Sequence, residues 1–178
     1  MATVAESLTR LTSEIEQQGL TPENSRRLAV EIACKFGVQE DEVGILLLEG
    51  STLVFCHPSR LKGVGRIPLN SSSSIAARTA STRRSEVLNH FAQVKHTSFF
   101  EAVKLSQSEI EDGQRPDLSS CVIQKLMTAP VMEGKKVRGV IQVSRKGASP
   151  TAAGPDFTQE DLQQLTEMAS AVAACFHL

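Results

Sequence analysis

Residues 127–176 read MTAPVMEGKKVRGVIQVSRKGASPTAAGPDFTQEDLQQLTEMASAVAACF. Their order decides the fold: apolar run, Glu133-Gly134, apolar run, Pro/Gly-rich loop, capped helix. The two apolar runs predict an antiparallel hairpin closed at Glu133-Gly134. The first strand is expected over Cys121–Val131 and the second over Val137–Ser144. In the second, Val137, Gly139, Ile141 and Val143 take one face, and Arg138, Val140, Gln142 and Ser144 the other. After a loop over Gly147–Asp156, Thr158 and Asp161 form a capping box with the shorter acid, and Glu160 and Asp161 complement the helix dipole. Leu162, Leu165, Ala169, Val172 and Phe176 then recur at alternating helical steps. So narrow a stripe predicts a seam of coiled-coil type, able to pack on another helix, on the sheet or on a second copy of the chain.

Working outward, Val4, Leu8, Leu11 and Ile15 predict an amphipathic helix ended by Gly19. Thr21-Pro22 opens a second helix, with Thr as cap and Pro at the first helical position. Leu28, Ala29, Ile32 and Phe36 form its apolar face, and Gly37 closes it. Val43–Leu48 reads as a strand buried on both faces. Glu49-Gly50-Ser51 turns the chain into an antiparallel strand over Thr52–His57. A third strand is expected over Gly63–Leu69, with Pro68 keeping it from a central position. Asn70–Ser74 leads into a small-residue helical turn, Ile75–Ala80, whose N-terminus can hold an anion or a polar group, or can simply be a capped helix end. Ser85–Leu88 is a short strand. The long connection Asn89–Leu118 reads either as a lid over a binding site or as a surface loop.

The chain has 178 residues and a net charge of −1, which suits one domain and gives no field to attract nucleic acid or an anionic membrane. With seven Phe and no Trp or Tyr, it lacks the stacking surface of a single-strand nucleic-acid binder. No apolar run reaches the roughly 20 residues of a membrane span, and no signal-peptide core is visible, so a cytoplasmic location is expected. Cys34, Cys56, Cys121 and Cys175 stand singly and read as buried small hydrophobes; Cys34 and Cys175 are both expected to point inward from helices.

The order of elements, together with several motifs, resembles the GAF domain, a small-ligand sensory module. The motifs are Arg66-Ile67-Pro68-Leu69 before the turn Ser74-Ile75-Ala76-Ala77, Ala129-Pro130-Val131-Met132, Gly139-Val140-Ile141-Gln142-Val143, and Phe157-Thr158-Gln159-Glu160-Asp161-Leu162. Phe99-Phe100 stands where the family often has an aromatic in its lid. The usual turn glycines are Ser and Ala here. Of the Asn-Lys…Phe…Asp-Glu pattern of cyclic-nucleotide-type members, Lys146, Phe157 and Asp161 fit; Ser144 and Arg145 stand at the Asn, and Leu162 replaces the final Glu.

The resemblance implies an α+β fold: an antiparallel sheet of about six strands with the N- and C-terminal helices on one face and short helices and lid loops on the other. It implies one domain over 1–178, with N-terminal helices in 1–36, sheet and lid in 41–157 and the last helix in 158–176. It places Ser72, Ser73, Ser74, Ile75, Arg78, His96, Phe99, Phe100 and Thr128 at the edge of a ligand pocket. No cofactor, bilin-attaching Cys or haem-ligating His is assigned. The expected function is non-catalytic sensing of a small molecule, relayed through a homodimer of the terminal helices or a separate partner protein. Alternatives are a ligand-free interaction module and a GAF-type free methionine sulfoxide reductase, for which Cys121 is the one nucleophile that fits.

Overall fold

A computed structural model describes residues 4–91 and 122–178, apart from the side chains of Val4, Ala5 and Val64. The expectations for His96, Phe99, Phe100, Cys121 and the long connection lie outside the described residues. Helices α1 (Val4–Gln18) and α2 (Pro22–Phe36) come first. Thr21 caps α2 by accepting from the Asn24 N–H, Pro22 takes the first helical position, and Gly37 ends it at φ 61°. Strands β1 (Val43–Glu49), β2 (Thr52–His57), β3 (Ile67–Pro68), β4 (Glu86–Leu88), β5 (Ile123–Glu133) and β6 (Lys136–Lys146) form one antiparallel sheet in the order β3-β2-β1-β6-β5-β4. Helices α3 (Ile75–Thr82) and α4 (Gln159–Ala171) complete the described elements.

The β5–β6 hairpin is the spine. Glu133 pairs with Lys136 across a Gly134-Lys135 loop, with Gly134 at φ 58°. The expected alternation of β6 separates two cores from Gly139 to Val143, but Val137, expected on the Ile141 face, packs with Val140 instead, because the register shifts by one residue at Arg138. Ile141 and Val143 face the larger one with Met127, Ala129 and Val131 of β5, Ile15 of α1, Leu28 and Ile32 of α2, and Leu165 and Ala169 of α4. Val140 faces the other side with Leu46, Leu53, Phe55, Leu61 and, from α3, Ala76 and Ala80.

The narrow stripe of the last helix is used within the chain. Leu165, Ala169, Val172 and Phe176 are buried in the helix-side core, and Leu162 packs against it. The stripe is therefore not a coiled-coil seam, and of the partners open to it the sheet and α1 fill it: the small Ala169 lets α4 lie close on the sheet, and Leu8, Leu11 and Ile15 of α1 share the same core. A second copy would have to meet the outer, more polar faces of these helices. The last helix also stops at Ala171 and continues as a 3-10 turn over Ala173–Cys175.

Two further expectations are corrected. The third strand shrinks to Ile67–Pro68, because Ser59–Val64 winds into a 3-10 turn and Gly65, at φ 101°, breaks the extended run. Cys34 is exposed, standing about 200° around the helix from both Ile32 and Phe36. No helix among the described residues is long and apolar enough to cross a membrane.

Gly139 sets how closely the layers approach. A Cβ there would stand 2.6 Å from Cδ1 of Phe176 and would also strike the Leu46 carbonyl oxygen. Gly139→Ala should therefore lower unfolding stability by about 2 kcal/mol or more in urea titrations; an unchanged midpoint would show that the close packing of β1 and Phe176 on this strand is not needed.

At the end of β2, the buried His57 donates from Nε2 to the Glu40 carbonyl at 3.1 Å, and burial pushes its pKa below the usual histidine value. The folded state thus binds fewer protons than the unfolded one. Its contribution to stability is complete above about pH 6.5 and falls as pH drops toward the lowered folded value. His57→Gln should flatten the stability profile below pH 6.5, read by thermal melts across that range; an equally steep profile would assign the dependence to other groups.

Candidate functional site

On the α3 side of the sheet the described residues enclose a two-lobed space. The larger lobe, about 40 Å³, lies between the N-terminal end of α3 (Ser73, Ser74, Ile75, Ala76) and the strand residues Phe55, Ile67, Ile123, Leu126 and Gln142, with Phe91 at its edge. A smaller lobe of about 10 Å³ lies beside Asp41, Glu42, Gly44, Arg60, Ser144 and Lys146, and shares Ile123, Leu126 and Gln142. The larger lobe has room for water rather than for a drug-sized molecule.

Three of the expected site residues, Ser73, Ser74 and Ile75, line this space. Ser74 is the N-cap of α3 and accepts from the Ala77 N–H at 3.2 Å, so its hydroxyl proton is free to be donated. Ser73 lies 3.3 Å from the Ser71 hydroxyl, and Ser72 is exposed and outside the lining.

Arg78 points outward and pairs with Glu86 at 2.7 Å, and the structure does not bring it to the cavity. Thr128 is fully buried beneath α3. Thr79 donates to the Ile75 carbonyl at 2.8 Å, which leaves Thr128, 3.1 Å away, as the donor to Thr79. That bond fastens α3 to β5 instead of offering a group to a ligand. Sequence reasoning did not single out Phe55, Leu126 or Gln142 as lining residues. The signal for Gln142 was present, as a polar side chain on the strand face opposite Ile141 and Val143.

The partial cyclic-nucleotide pattern is split: Lys146, with Ser144 from the Asn position, lines the smaller lobe, whereas Phe157 and Asp161 line neither. Phe157 is buried on the helix side, with the Arg145 guanidinium 4.8 Å over its ring. Asn89 accepts from the Phe157 N–H at 2.9 Å and donates to its carbonyl at 3.0 Å, fixing the chain just before α4. Asp161 completes the expected capping box with Thr158. Lys146 donates to the Asp41 carbonyl at 3.1 Å. Arg145 also donates to the Phe36 and Gly37 carbonyls, where a cation complements the C-terminal end of α2. Lys125, buried beside this cluster, donates to the Asp156 carboxylate at 2.7 Å and holds that carboxyl below the usual range.

The described cysteines are poorly placed for nucleophilic chemistry. Burial pushes the Cys56 thiol up and the Cys175 thiol up to about 11; Cys175 donates to the Thr12 carbonyl at 3.4 Å. None of the three lines either lobe. No group of three or more His, Cys, Asp or Glu among the described residues is placed to hold a metal ion. With iodoacetamide at pH 8 and peptide mapping by mass spectrometry, Cys34 should label in the native protein, whereas Cys56 and Cys175 should label only on unfolding. Fast native labelling of Cys175 would contradict its assignment as an inert core thiol.

The fold recurs in solved proteins. The GAF domain of an Acinetobacter phosphoenolpyruvate-protein phosphotransferase superposes with a TM-score of 0.64 at 13% identity, covering 99% of this chain and 94% of that one. Residues 122 to 287 of a methyl-accepting chemotaxis protein give 0.61 at 14% identity, covering 93% of each chain. A free methionine-R-sulfoxide reductase from Neisseria meningitidis, solved with its substrate, gives 0.58 at 15% identity, covering 99% of this chain and 92% of that one. No curated protein sequence matches. The GAF domain family model matches residues 23–177, and the chain belongs to the GAF domain family.

Proposed function

We propose that this GAF domain is a non-catalytic sensor whose small-molecule ligand occupies the space between α3 and the sheet, with the output passed to a partner protein or a second copy. The observation that supports this is the two-lobed cavity itself: apolar walls, a few hydroxyl and amide groups, and a cover, α3, attached by a modest set of contacts. A ligand that prefers one position of α3 shifts that equilibrium by its differential affinity for the two positions. Neighbours of the fold named for chemotaxis and phosphotransferase proteins are consistent with a regulatory role.

The small volume of the larger lobe favours a second reading, a ligand-free interaction module whose cavity is closed by its own side chains. The reductase reading draws on fold neighbours that include three free methionine sulfoxide reductases. Its nucleophile would have to be Cys121. Native mass spectrometry of the purified protein separates the first two: the sensor reading expects a bound small molecule that is lost on unfolding, and the interaction reading expects the bare protein mass. For the reductase reading, the sensor account expects no turnover of free methionine sulfoxide in the presence of a dithiol reductant. Turnover abolished by Cys121→Ser would overturn it.

A further inference from the structure

We infer that the cavity selects a neutral, mainly apolar molecule that presents one amide-like edge, a donor beside an acceptor, to the side chain of Gln142. This rests on the cavity being a ligand site. Gln142 lies at the junction of the two lobes and lines both. Its half-buried side-chain amide makes no hydrogen bond with any described residue and is open to water or a ligand. A primary amide carries both a donor and an acceptor and is best satisfied by a group with the complementary pair.

Charge is disfavoured on two counts. No charged residue is among the described lining of the larger lobe. The charges around the smaller lobe are already engaged: Lys146 with Asp41, Arg60 with Asp41, and Glu42 accepting from the Lys146 and Gln39 N–H groups. An ion entering the larger lobe would lose its hydration without gaining a counter-charge. Gly44 keeps room beside the amide. It pairs with Gln142 across β1 and β6, and a Cβ on it would lie 3.7 Å from Gln142 Cβ and 3.8 Å from the Phe55 ring, so a side chain beyond alanine would enter the space. The lobes have room for little more than water, so an organic ligand must displace wall side chains such as Leu126, which lines both lobes.

The test uses benzamide, benzoate and toluene as probes, followed by amide chemical shifts of the whole protein. Benzamide should shift residues around Gln142 and bind at least tenfold more tightly than either of the others. Gln142→Met, which keeps length but removes the amide, should erase that preference, and Gly44→Val should abolish binding of all three. A Leu126→Ala form widens both lobes and should bind benzamide more tightly, and its folding is checked by its own spectrum. If benzoate or toluene binds as well as benzamide, or if Gln142→Met leaves the preference unchanged, the ligand class is wrong while the cavity stands as a binding site. If no probe binds either the parent or the widened form, the cavity is not a ligand site and both readings fall.

Discussion

The pairing of β5 with β6 is the interaction on which the rest of the structure depends. Each strand is 11 residues long, and between them they contact β1, β4, α3 and α4. A strand pair buried on both faces must supply apolar side chains in both directions, and β6 does so by alternation, Ile141 and Val143 on one side and Val140 on the other, with a bulge at Arg138 turning Val137 to the Val140 side. A one-residue slip in this register would exchange the two faces. Gly139 and Phe176 add a second constraint, because the C-terminal turn can lie against the sheet only where the strand has no side chain.

The two faces have different energetics. The helix side buries large side chains with little or no exposure, among them Ile15, Leu28, Ile32, Met127 and Leu165, each contributing about 1.5–3 kcal/mol. It is also tied by polar links: Arg145 on the end of α2, Lys125 on Asp156, and Asn89 on the Phe157 backbone. The α3 side is thinner. Small residues, Ala76, Ala77 and Ala80, cover the sheet, and polar fastening comes from Thr79 with Thr128 and from the exposed pair Arg78–Glu86. A segment held by few apolar contacts opens at lower free energy than the core beneath it, and ligand sites are drawn from such segments.

Much of this was legible in the sequence because local chemistry decided it. Thr21-Pro22 and Gly37 bracket α2, Thr158 and Asp161 open α4, and Gly50 and Gly134 turn the two hairpins, all through requirements of a few neighbouring backbone groups. The misreadings arose where partners distant in the chain decide. The stripe from Leu162 to Phe176 has the spacing of a helix seam, yet spacing does not say whether a sheet or another helix fills it. The third strand begins late because Pro58 and Gly65 favour a tight turn and a break over extension. Cys34 was misplaced although its angular position on α2 was available from the sequence. Of the cavity, the α3 half (Ser73, Ser74, Ile75) was readable from the helix start. The strand half (Phe55, Leu126, Gln142) depends on which strands neighbour one another, which a single sequence does not display.

The central claim is that one sheet carries a rigid structural face and a more easily opened sensing face. Hydrogen–deuterium exchange of the native protein tests this directly. The account predicts that amides of β1, β5, β6, α2 and α4 exchange only through global unfolding, while those of α3 and β3 exchange through openings of clearly lower free energy that leave the helix side intact. Protection of α3 equal to that of β5 and β6 would contradict it.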